Sequence, residues 1–412
     1  MKNNLCFVFI LFFSCALQAD TVENLYSNAQ KAQEKGNIEL AVRYCNQALA
    51  LSPKDPELLF RIGEMLVDCK RKKEGFGVLH RVLLSHPSYE RHGRMARLAD
   101  KHEDFELAIE HYKACMKYSR SPEVYHHLAR LFEETGKMEL ALSYRSQSVS
   151  LLLPSIRGLK FKEPVSMKSK NKKELESFLV GELEKEMPDE EARRTKLALE
   201  VFGLVPPGFD LKKTLTSLLT EQIGGFYNPK DKSLYLIEEN KHKSFWERLA
   251  GSKRDDSEDM LVISHEMTHA LQDQYFDIQN MEKGVKENDD RLLAFQALLE
   301  GDATLSMMDY QFRPKTFSRE DIPSLKASFG VMSFLMPFSG GKEYANAPLI
   351  LKKTLIFPYV EGLFFCLTVK DEKGFEAIDA MYSALPQSTE QILHPEKYLN
   401  REEAMEIGRA HV

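Results

Sequence analysis

His265 and His269 stand four residues apart in "VISHEMTHALQDQ" (Val262 to Gln274), and Glu266 directly follows the first histidine. On a helix, positions i and i+4 leave the same face one turn apart, so both imidazoles can reach one ion. Neutral imidazoles bind zinc well. Glu266 is displaced by about 100° around the helix and reaches a bound water instead of the ion. A carboxylate placed there can take the proton of that water during hydrolysis. The HExxH pattern is short enough to arise by chance, so the assignment needs a third ligand. It does not come from a downstream glycine and histidine, because Gln272 and Tyr275 occupy those positions.

The third ligand is expected in "DDRLLAFQALLEGDATLSMMDY" (Asp289 to Tyr310), which has a helical pattern with an acidic start. Glu300 sits in its middle among apolar residues, where an unpaired carboxylate would cost several kcal/mol or neutralise. Gly301 follows, and a mid-helix glycine costs about 1 kcal/mol relative to alanine. One arrangement explains both: Glu300 ligates zinc, while Gly301 and Ala303 let this helix approach the helix of the two histidines. The competing reading is a glutamate facing solvent on a misread helix. Asp302 is the rival ligand. It is expected to point away from the Glu300 face and to orient a histidine.

These segments resemble the gluzincin group of zinc metallopeptidases. More narrowly, "SHEMTHALQDQYFDI" and "ALLEGDA" look like bacterial members that also carry a late segment, here "STEQILHPEKY" (Ser388 to Tyr398). "GFYNPKDKSLYLI" and "FPYVEGLFF" (Phe357 to Phe365) fit as well, so the resemblance spans roughly residues 215 to 400. The metzincin arrangement is excluded by Gln272 and Tyr275. The resemblance implies His265, His269 and Glu300 as zinc ligands and Glu266 as general base. Many gluzincins have an aspartate four residues after the ligand glutamate; Thr304 stands there, so support for a histidine must come from elsewhere, with Asp302 as candidate. An oxyanion stabiliser is also expected. His394, Tyr359 and Tyr227 are candidates, with His394 favoured because it lies in the matching late segment. Tyr227 and Tyr235 are candidate substrate-binding residues.

The helix of the two histidines is expected to start near Asp256 or Ser257, either of which can cap it. Upstream, Asn228-Pro229-Lys230-Asp231 has turn chemistry and "SLYLIEE" has strand-forming residues, which predicts a hairpin. Ser233 to Glu238 is read as an edge strand lining the cleft, able to pair with an extended peptide.

The first half of the chain repeats. Ala29, Gly63, Ala96 and Ala129 recur at spacings of 34, 33 and 33, and Ala41, Gly75, Ala108 and Ala141 at the same spacings. Pro53 and Pro87 are 34 apart. This period resembles the tetratricopeptide repeat, in about four units over residues 22–153. Such units stack into a solenoid and usually hold a protein or peptide. The competing reading is a spacer. Residues 154–173, with two prolines and many lysines, read as a linker, and 174–412 as the zincin-like peptidase domain. The expected fold class is mainly α, a helical solenoid followed by an α+β domain.

Composition is that of a soluble globular protein: 412 residues, 43% apolar, net charge -6 from 56 basic and 62 acidic groups. It gives no reason to expect a nucleic-acid partner. Lys2 precedes the apolar run Leu5 to Leu17, thirteen residues that suit a signal-peptide core over 1–19 better than a membrane span. Two exits fit: cleavage after Ala19, or acylation at Cys15 with a lipid anchor. Both imply export to the periplasm or cell envelope. Cys45, Cys69, Cys115 and Cys366 are read as isolated buried thiols. The stretches Phe329 to Phe338 and Phe357 to Val369 read as core helices. The expected activity is zinc-dependent hydrolysis of a protein or peptide. A non-catalytic repeat adaptor and a hydrolase of non-peptide amides are the alternatives.

Overall fold

The computed structural model describes residues 21–51, 53–237, 257–328 and 342–403. The apolar run Leu5–Leu17, both proposed exits and the stretch Phe329–Phe338 lie outside them. The chain is mainly helical and divides into two compact units between Lys137 and Met138. No helix among the described residues is long and apolar enough to cross a membrane.

The first unit is a run of helical repeats. Helix starts recur with the expected period: Pro56, Tyr89 and Pro122 are 33 apart, and Ile38, Lys72 and Phe105 follow at 34 and 33. Asn37, Asp55, Ser88 and Asp104 cap their helices by accepting a backbone N–H of the first turn. The small residues lie at crossings. A Cβ on Gly75 would stand 2.6 Å from the Gly63 carbonyl oxygen and 2.5 Å from a Val67 methyl carbon. Ion pairs link successive repeats. Arg94 binds Glu57 and Glu64, Lys101 binds Asp68, and Arg130 binds Asp100. Cys45, Cys69 and Cys115 are buried free thiols, as is Cys366 of the second unit.

One buried pair gives this unit a pH dependence. His111 is buried and shares a 2.9 Å Nδ1–Nδ1 hydrogen bond with His92. Burial pushes His111 down to about 4, and the charges that His92 and His80 would carry push the same way. The unfolded chain therefore takes up protons first as pH falls. The stability that goes with neutral His111 is complete above about pH 6.5 and is lost as pH falls towards 4. Urea titrations of the full chain should place the repeat unit's midpoint lower at pH 5 than at pH 7, and His111→Leu should flatten that difference. Equal midpoints in the native sequence would contradict the assignment.

The second unit is built round three long helices: Ser257–Tyr275, Asp289–Phe312 and Leu349–Lys373, which we call the histidine, glutamate and tyrosine helices after the site residues they carry. The glutamate helix packs against the other two and holds the centre of the core, with Ala297, Leu298 and Leu305 fully buried beside Leu271, Leu363 and Phe365. Gly301 does not serve the approach expected from the sequence. A Cβ on it would stand 2.2 Å from the carbonyl carbon and oxygen of Gly362 on the tyrosine helix, and a Cβ on Gly362 would stand 2.1 Å from the Ala297 oxygen. The two glycines bring the glutamate and tyrosine helices together. Gly301→Ala should therefore destabilise by about 3 kcal/mol or more, despite the better helix propensity of alanine. Thermal unfolding checks this, and an unchanged midpoint would refute the close crossing.

The boundary also moves. Pro154 does not end its helix, which runs Met138–Arg157 and belongs to the second unit. Proline removes one N–H bond near the helix end, and burial of Leu153 and Arg157 holds the last turn until Gly158, at φ +86°, closes it. The expected linker 154–173 is tied down as well. Lys162 and Glu163 backbone N–H groups donate to Gln274 Oε1, and the Tyr275 hydroxyl donates to the Lys160 oxygen. Ser166–Lys170 then forms strand β1. With β2 (Gly225–Asn228) and β3 (Ser233–Ile237) it makes a sheet in the order β1-β3-β2. β1 is parallel and β2 antiparallel to β3. The expected hairpin is present, but β3 is the middle strand and not an edge, because β1 comes from the stretch read as linker.

Candidate metal centre

The histidine helix is described from Ser257 onward, and Asp256, the other expected cap, lies outside the described residues. His265 and His269 leave it on one face, with ring centroids 4.8 Å apart. The glutamate helix brings Glu300 to them. His265 Nε2 lies 3.1 Å from His269 Nε2 and 3.1 Å from Glu300 Oε2, and His269 Nε2 lies 3.4 Å from the same oxygen. These donors form the one group of three or more metal-capable side chains found among the described residues. Tetrahedral ligands about 2.0 to 2.1 Å from zinc stand about 3.3 Å apart. The three sides of 3.1, 3.1 and 3.4 Å match that separation, so the residues fit the ion. The His265 side chain is 2% exposed, whereas His269 and Glu300 are 19% and 23% exposed, so the cluster opens on their side.

The charges are tightly coupled. Burial favours neutral His265 and pushes it down to about 4. Burial opposes the charged form of His269 too, but the Glu300 carboxylate outweighs it and raises His269. Burial alone would raise Glu300, yet His269 and His265 hold its carboxyl far below the usual range. One ionised carboxylate facing two imidazoles is a donor set that would suit a divalent cation.

Glu266 is buried, and burial pushes its carboxyl up to about 7. It does not join the cluster of donors. Its Oε2 accepts the backbone N–H of Tyr227 at 2.8 Å. Tyr227 lies on β2 opposite Leu234, on the sheet face packed against the histidine helix. That close packing requires Gly225, whose Cβ would meet a Val262 methyl carbon at 2.7 Å. The Tyr227 hydroxyl donates to Asp273 at 2.8 Å, so its ring is held and its backbone serves Glu266.

The other candidates divide. Tyr359 is at the site: its ring is 6.0 Å from that of His265 and its hydroxyl donates to Glu300. Burial, with the Glu300 and Glu266 charges, holds its proton on well above the usual range. His394, favoured from the sequence, stands elsewhere. It joins the helices Thr389–Leu393 and Pro395–Leu399, its side chain is 56% exposed, and its ion-pair neighbour is Glu396. Tyr235 also lies off the site. Side chains alternate along a strand, so it faces away from the buried Leu234 and Leu236. It stacks on Phe226 and donates to Asp231. Asp302 touches neither histidine. Gln272 does: its Oε1 lies 2.8 Å from His269 Nδ1. Gln272 stood in the quoted motif, one turn after His269, and that spacing was the available signal. Thr304 donates to the Glu300 backbone oxygen and gives the histidines nothing.

No family model matches the chain, and no curated protein matches it. A solved structure described as "Crystal structure of MamA protein" is similar to part of it. The two are 17% identical, with 44% of this chain and 92% of that chain covered and a TM-score of 0.28. So low a score carries no argument about function.

Proposed function

We propose that this chain is a zinc-dependent peptidase of the gluzincin kind, exported by way of the apolar run Leu5–Leu17, whose tetratricopeptide-like repeats hold a protein partner or substrate. The observation that carries the catalytic reading is the triangle of donors from His265, His269 and Glu300 with buried Glu266 beside it. Zinc bound there would polarise a scissile carbonyl and acidify a water. Glu266 takes the proton of the attacking water and passes it to the leaving amine. The Tyr227 N–H fixes the carboxylate for that transfer. Tyr359, which keeps its proton, is the oxyanion donor in place of His394.

The substrate is read as an extended segment. Among the described residues β2 is an outer strand of the sheet, and its edge runs past Glu266, which holds the Tyr227 N–H. A polypeptide can add along such an edge by main-chain bonds. This keeps the idea of an edge that presents substrate and moves it from β3 to β2. The repeats would bring a protein target, and the second unit would cut an unfolded stretch of it.

The test is digestion of a peptide library by the purified full chain. Cleavage should depend on added zinc and stop with a chelator. Chelator-insensitive cleavage, or none under any metal, would refute the reading. Within it, Tyr359→Phe should keep the metal and lower kcat by on the order of tenfold to a thousandfold. Unchanged kcat would return the oxyanion role to another donor.

A further inference from the structure

Resting on the proposed metal centre, we infer that Gln272 is the residue that positions His269, and that a buried relay running from Gln272 through Asp302 to Arg157 sets its orientation. Thr304, one turn after Glu300, donates to the Glu300 backbone oxygen and so does not orient a histidine. The structure offers a different device, assembled from three separate segments.

The relay can be read atom by atom. The Gln272 amide nitrogen donates to the Leu299 oxygen at 3.0 Å and to Asp302 Oδ2 at 3.0 Å. Both partners only accept, so they fix which end of the amide is nitrogen. Oε1 is thereby turned to His269 Nδ1 at 2.8 Å. An oxygen only accepts, so Nδ1 must carry a proton, which leaves Nε2, facing the cluster, as the nitrogen that can give its lone pair to an ion. Asp302 is itself held on several sides. It is fully buried and accepts from Arg157 Nε at 2.7 Å, Arg157 Nη2 at 3.1 Å and the Tyr382 hydroxyl at 2.9 Å. Arg157 is fully buried too, and its guanidinium also reaches Asp379 at 2.6 Å and lies over the Phe375 ring. Tyr382 stacks on Phe276 with centroids 3.9 Å apart.

Two features separate positioning from mere packing. A buried Arg–Asp pair could be satisfied without touching the site, yet a donor on Gln272 is spent on it. The amide has only one free polar atom left, and that atom meets the histidine. The helix Met138–Arg157 therefore takes part in shaping the centre, although the sequence pattern gave it to the repeats.

The experiment compares zinc affinity and apo stability in the full chain, with zinc itself as the probe in competition with a chelator. Gln272→Leu removes the acceptor at similar volume and should weaken zinc by about 10- to 100-fold. Gln272→Glu keeps an acceptor for His269, and the carboxyl pair it makes with Asp302 holds one proton, so that one bond of the relay survives at a cost in stability. It should hold zinc within about threefold of the native chain while lowering the apo Tm. A merely structural Gln272 would make affinity follow Tm in both variants. Should Gln272→Leu fail to fold, Gln272→Met, which also lacks the amide acceptor, supplies the same comparison. In the native chain, nitrogen-15 spectra should show His269 protonated at Nδ1. Native-like zinc affinity in a folded Gln272→Leu would overturn the relay alone. A native chain that takes up no zinc would overturn the metal centre and the relay together.

Discussion

Glu266→Gln should keep about one zinc per chain and lose turnover by about a hundredfold or more. The reason lies in what the substitution leaves alone. Glutamine has nearly the same shape, and its amide oxygen can still accept the Tyr227 N–H that Glu266 accepts at 2.8 Å. The side chain is not among the three donors, so the ion's ligands are intact. The buried carboxylate that can exchange a proton is gone, and the remaining one, Glu300, is committed to the donor cluster. Metal analysis and kcat on the same preparation separate the two effects. Hydrolysis near the native rate would remove Glu266 from the mechanism.

A chain beginning at residue 174 should fail to fold cooperatively, whereas one beginning at Met138 should fold. The shorter form loses Arg157 and leaves Asp302, fully buried, as a carboxylate without its cation. Breaking a buried pair in this way costs about 3 to 5 kcal/mol. It also strips β1 from β3, and Val149 and Leu153 from the core round Met267 and Leu298. Domain stability is typically about 5 to 15 kcal/mol, so these losses together exceed what the unit can bear. Calorimetry on the two truncated forms checks this. A sharp transition for residues 174–412 would show that the Met138–Arg157 helix is dispensable.

The site was legible where its logic is local. His265, Glu266 and His269 lie within five residues, and helical geometry alone puts the imidazoles together. Glu300 was legible from its cost, a carboxylate in an apolar run beside a glycine. The repeats were legible because small residues recur at a fixed period. What the pattern could not reveal depends on distant partners. Gly301 meets Gly362, sixty-one positions later. Arg157 meets Asp302 across 145 positions, and a lone arginine after a proline carries no periodic signal. Pro154 suggested a boundary, yet burial of Leu153 and Arg157 outweighed one lost helical bond. β3 looked like an edge because its parallel neighbour β1 lies in a lysine-rich stretch that resembles linker. His394 was favoured for its place in a matching segment, but sequence position does not report distance from the ligands. Tyr359 reaches them because the Gly301–Gly362 crossing draws its helix in.

The most direct measurement is the metal content of the purified full chain after exhaustive dialysis, beside Glu300→Ala and His265→Ala. About one zinc per native chain is expected, as for a three-ligand site, and far less in either variant. A native chain free of metal after exposure to zinc, or a folded Glu300→Ala that retains its full zinc content, would contradict the three-ligand site.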